Sequence, residues 1–241
     1  MCTGNGPNSL NTETSETSEF ICYLCGNSIQ RKPTDARMKL SMDHVPPRLF
    51  FPKELRKTEK LNLQRAPSHQ KCNEGYRQDE EYFYHSLYPI VAKINPWMGD
   101  VIMRDFARKA KKPQTPAMLR KVFSSASLTT QGGIHLPSGM VEVILDECRL
   151  QRVAMKIALG VLFLAIGKYF TDRQIVDIRF CLSESEVVDM YRIAWQLSAM
   201  VAVDSKVFSY KYFYFADMGH HILSMLFWEA FMYCVTVRDG E

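Results

Sequence analysis

The chain has 241 residues, 46% of them hydrophobic, and a formal net charge of +4. Such a length and composition support a buried core in one large or two small domains and exclude a chain that is disordered throughout. The longest apolar stretch, Ile157 to Ile166, is well short of the roughly twenty residues that a membrane-spanning helix requires.

Residues 1–19 are rich in Ser, Thr, Asn and Glu, with no apolar signal-peptide core, and are predicted to be a flexible tail. Phe20 to Asn27 holds Cys22-x-x-Cys25 followed by Gly26, the form of a zinc knuckle. A basic loop is expected from Ser28 to Lys39. Leu40 to His44 alternates as a short strand would, and Pro46-Pro47 ends it. Lys53 to Lys60 reads as a charged loop, and Leu61 to Gln64 as a second strand. Then comes His69-x-x-Cys72, with Asn73 as the N-cap of a helix whose early turns carry acids.

Beyond Pro89 a basic helical segment runs to Lys112, and Pro113, Pro116 and Gly132-Gly133 mark a linker. Val153, Ile157, Val161 and Leu164 recur at helical spacing, as do the apolar residues of 184–203, where Ser183 and Glu186 suggest a capping box. Val207 to Phe215 reads as an aromatic strand. His221 to Phe227 is expected to be helical and the residues after it to be a strand. His220-His221 is taken as structural and not as a metal pair, since consecutive residues on a helix point about 100° apart. The organisation expected is therefore a tail (1–19), a metal-bearing module (20–89), a basic helix with linker (90–140) and a mainly helical C-terminal region (141–241).

Two ligand pairs far apart in the chain, Cys22/Cys25 and His69/Cys72, can close one tetrahedral zinc site of the Cys3His type. Asp43 and Asn73 supply hard oxygen donors suited to magnesium or manganese, and His44 can take a proton from water near neutral pH. The bases between Arg31 and Arg77 outnumber the acids, so positive charge gathers on this module. Seven cysteines, three of them in the clamp and the rest unpaired in spacing, favour metal binding in a reducing compartment, the cytoplasm, over a disulfide framework.

In order and spacing, Cys22-x-x-Cys25, Asp43-His44-Val45-Pro46-Pro47 and His69-x-x-Cys72-Asn73 resemble the zinc-bearing branch of the HNH endonucleases. The likeness covers roughly residues 20 to 85. It departs from the usual pattern in having His69 for a cysteine, and the family's middle Asn has no certain counterpart, Asn62 and Gln64 both lying near the expected place. The resemblance implies an α+β protein with an N-terminal ββα-metal module, followed here by the mainly helical region with its late aromatic strand. It further implies structural zinc on Cys22, Cys25, His69 and Cys72, a catalytic magnesium or manganese on Asp43 and Asn73, and His44 as general base. Arg48, Lys71 and Arg77 would contact nucleic acid, DNA before RNA. The function so implied is a metal-dependent endonuclease, suited to defence against foreign DNA. The rival is a zinc-stabilised nucleic-acid-binding or sensor protein whose nuclease site is degenerate. A third option is a defence effector whose C-terminal half restrains the nuclease. No membrane partner is expected, and self-association is left open.

Overall fold

The computed structural model describes residues 20–30, 33–58, 63–109, 114–182, 196, 200–204 and 206–239. The architecture is α+β. Strands β1 (Phe20–Ile21) and β2 (Ser28–Ile29) form a small antiparallel hairpin around the first Cys pair. Strand β3 (Leu40–His44) pairs antiparallel with β4 (Arg65–His69), in a register that sets His44 opposite Arg65 and Asp43 opposite Ala66. Between them lies the short helix α1 (Lys53–Thr58), where a charged loop was expected. The second strand thus falls later than predicted, and Leu61 and Asn62 lie outside the described residues.

Helix α2 (Gln70–Glu74) starts at His69, which stands at its N-cap, so Asn73 lies inside α2 and does not cap the helix that follows. That longer helix is α3 (Arg77–Ile94), and it continues through Pro89. It is followed by α4 (Pro96–Lys109), α5 (Gln114–Val122) and α6 (Glu147–Ile166). The side chain of Asp146 caps α6 by accepting from Arg149 N at 3.3 Å. Gly167, at φ 69°, closes the helix, since this left-handed conformation is strained for residues with a Cβ.

The C-terminal region departs most from expectation. Among the described residues after α6 the chain is dominated by strands, not helices: β5 (Ile175–Cys181), β6 (Met200–Asp204), β7 (Phe208–Phe215), β8 (His220–Phe227) and β9 (Phe231–Arg238). They form one antiparallel sheet in the order β5-β9-β8-β7-β6. The aromatic strand at 208–215 and the final strand were anticipated. The helix expected over His221–Phe227 is instead β8. Both faces of β8 are largely buried, so its residues form a continuous apolar run without the alternation that marks a half-exposed strand. The Ser183–Glu186 capping box lies outside the described residues.

A single buried cluster joins Tyr23 and Val45 of the N-terminal module to Phe83 of α3, Ile157 of α6, and Phe227, Trp228 and Phe231 of the sheet. Helix α6 sits at the centre of this arrangement, contacting α3, β4, β5 and β9. A Cβ on its Gly160 would meet Val45 Cγ2 at 2.8 Å and Tyr23 Cε2 at 3.1 Å, so only glycine lets α6 approach this closely. Among the described residues no helix is long and apolar enough to cross a membrane.

Candidate metal centre and the closed cation point

The first knuckle is a tight turn. Cys22 O accepts from Cys25 N at 3.3 Å and from Gly26 N at 2.8 Å, with Gly26 at φ 72°. Tyr23 N donates to Pro67 O at 3.0 Å, which fastens this turn to β4, and His69 N donates to Cys22 Sγ at 3.3 Å. His69 ends β4 and Cys72 lies in the single turn of α2 that follows. Ligand atoms of Cys22, Cys25, His69 and Cys72 thereby lie within 4.8 Å of one another. Cys25 Sγ and Cys72 Sγ are 3.4 and 3.8 Å from His69 Nδ1. Bond lengths of roughly 2.0–2.3 Å to zinc place tetrahedral neighbours at about these separations. The donor set and its spacing fit a zinc-type ion. Burial, followed by the neighbouring thiols, pushes the Cys72 thiol up to about 12, and burial raises Cys22 likewise. Metal binding would require these thiols to lose their protons, so occupancy of the site would fall as the pH falls.

The second expected centre has a different occupant. Asp43, on the inward face of β3, is 5% exposed and accepts a 2.5 Å hydrogen bond from Tyr23 OH. The same oxygen, Oδ2, lies 2.8 Å from Nζ of Lys156, which reaches in from α6. Lys156 Nζ also donates to Asn73 Oδ1 at 3.0 Å and to Glu80 Oε1. Asp43 and Asn73 do converge on one point as expected, but a lysine ammonium stands there. Its three N–H donors meet three oxygens, and its side chain is 1% exposed. Burial raises the Glu80 pKa and the charge of Lys156 opposes that rise. Magnesium or manganese therefore does not fit this oxygen set while the ammonium is in place.

His44 occupies the opposite face of β3 and is partly exposed. Its pKa is lowered, first by burial and then by the charge of Arg48, with Arg65 and Arg56 adding to the effect and Asp43 opposing it. Arg48, Lys71 and Arg77 are all exposed. Arg77 pairs with Glu81 at 3.8 Å, and Arg48 is among the charges that lower the His44 pKa. Gln64, one candidate for the missing Asn, is exposed and accepts from Val45 N through its backbone carbonyl, 3.0 Å away.

Three participants were not singled out in the sequence: Lys156, Glu80 and Tyr23. The available signal for Lys156 was its being the sole charge in the apolar run from Val153 to Ile166. His221 also differs from expectation. It lies on a strand and has an acidic partner, Asp239 Oδ1, 3.0 Å from its Nε2, with Tyr212 OH 2.8 Å from Nδ1. Asp239 is distant in sequence and is brought close by the pairing of β8 with β9. Compared with models of protein families, with curated proteins and with solved structures, the chain matches none.

Proposed function

We propose that this chain is a zinc-stabilised nucleic-acid-binding protein built on an HNH-like ββα module, with DNA as its first-choice partner. It would grip the phosphate backbone with the outer face of β3 and β4. The observation that carries this reading is the positive surround of His44. Arg48, Arg65 and Arg56 all lower its pKa, and the register places Arg65 directly across from it. A field of that sign on an open face suits a phosphodiester backbone, whose charge dominates the affinity of nucleic-acid binders.

The second reading is a divalent-metal-dependent endonuclease. It is favoured by the convergence of Asp43 and Asn73 on one cation point and by an accessible His44 that could take a proton from water. Binding stands first because that point is held by a buried ammonium that a phosphate oxygen does not reach.

Titration of a labelled DNA duplex over a series of salt concentrations tests the proposal. Arg48→Ala and Arg65→Ala should each weaken binding and reduce the slope of log affinity against log salt by about 1. Unchanged slopes in both variants would remove the backbone contact. Supercoiled plasmid incubated with magnesium or manganese distinguishes the readings: the binding reading expects it to stay intact, whereas nicking that disappears in His44→Ala would put the endonuclease first.

A further inference from the structure

Lys156 is required neither by the zinc clamp nor by the arginines around His44, yet it is among the most buried side chains of the molecule. A lone charge in an apolar helix is costly to bury unless every donor is answered. Here the answering oxygens come from three separate elements: Asp43 of β3, Asn73 of α2 and Glu80 of α3. Gly160, one turn further along α6, seats the helix directly against Val45 and Tyr23, which fixes how deeply the lysine reaches.

We propose that Lys156 is a tethered cation standing where a divalent metal ion would otherwise bind, so that replacing it with a short side chain creates a hard-cation site on Asp43, Asn73 and Glu80. The two occupants exclude each other. Nζ lies 2.8 and 3.0 Å from Asp43 Oδ2 and Asn73 Oδ1. A manganese or magnesium ion bound by the same oxygens at roughly 2.0–2.2 Å would fall inside contact distance of a like-charged nitrogen. The set of one amide and two carboxylate oxygens is otherwise what such an ion prefers. This inference shares with the binding reading the claim that Lys156 keeps the point closed. Its test reads metal uptake without DNA, so the two can fail separately.

The experiment is a manganese titration of the purified full chain, its zinc content verified first, with free Mn2+ followed by electron paramagnetic resonance. Wild type should show no uptake that depends on Asp43. Lys156→Ala should bind one further Mn2+ per chain, at least about tenfold more tightly than wild type. Adding Asp43→Asn should abolish that gain, and Mn2+ should raise the melting temperature of Lys156→Ala but not that of wild type. Uptake by wild type that Asp43→Asn removes would overturn the proposal, as would a folded, zinc-loaded Lys156→Ala with no gain. Should Lys156→Ala not fold, Glu80→Gln/Lys156→Ala, which leaves one carboxylate in place of two, carries the same comparison, and the wild-type measurement stands regardless.

Discussion

His85 and His221 show how far one residue type is governed by what surrounds it. His85 is buried against the edges of Tyr84 and Phe106, and its Nδ1 finds no partner among the described residues. Burial, aided by the Lys109 charge, lowers its pKa to about 4. The folded value lies below the unfolded one of roughly 6.5. Neutral His85 therefore contributes stability that is fully present above pH about 6.5 and is lost as the pH falls towards 4, at most about 3 kcal/mol. Its ring resonances should titrate near the lower value by NMR. Urea unfolding of His85→Phe should lose less stability than wild type between neutral pH and the acid end of that window, a comparison that cancels acid release of metal from the clamp. The cluster of Cys22, Cys25, His69 and Cys72 was legible because each pair is a local spacing of two intervening residues. Lys156 was not, because a lysine in an apolar helix gives no hint of which oxygens it will meet.

Among the elements, the β1–β2 hairpin reaches the core through Tyr23 and Ile29 but leaves its first strand outside. Phe20 and Ile21 are each 45% exposed. The hairpin is joined to β4 by the Cys22/Cys25/His69/Cys72 cluster, by Tyr23 N to Pro67 O, and by the buried Tyr23 side chain. Metal binding in small zinc modules is worth roughly 10–16 kcal/mol, comparable with the stability of a whole domain. Cys72→Ser should accordingly lose zinc, measured by elemental analysis, and melt at a lower temperature in a thermal scan. A variant that kept both zinc and melting temperature would show that Cys72 is not a ligand. At this scale two strands followed by a helix were readable, while the helix α1 between the strands and the register were not. The pattern at Leu61–Gln64 has the right alternation, but the observed strand begins at Arg65, where the register with β3 carries His69 into the clamp.

Across the molecule, the N-terminal module and the C-terminal sheet share one core, and Trp228 is the clearest tie between them. It is 1% exposed, adopts φ 50° in the turn between β8 and β9, and donates from Nε1 to Phe50 O at 3.0 Å. Its backbone N donates to Val207 O at 2.9 Å, and its carbonyl accepts from Asn95 Nδ2 at 3.2 Å. A left-handed conformation costs a tryptophan roughly 1–2 kcal/mol, which these contacts offset. Trp228→Ala should lose about 3–5 kcal/mol through the cavity, with a further cost for the Phe50 carbonyl left without its donor. Urea unfolding followed by circular dichroism and by zinc release should give coincident midpoints in wild type. Separate midpoints would mean that module and sheet unfold independently.

The sequence by itself determined the two pairs Cys22/Cys25 and His69/Cys72, the β3 strand with Asp43 and His44 on opposite faces, and the mixed α+β character, because each rests on spacings of a few residues. Only the tertiary structure decided that residues 175–239 include a five-stranded sheet, since a strand buried on both faces carries no period of its own. It alone decided that Asp239 joins His221 and that the oxygens of Asp43, Asn73 and Glu80 surround Lys156. Those meetings are set by how α6 and the sheet pack against the module, and no local pattern encodes which distant side chain fills a buried polar hole.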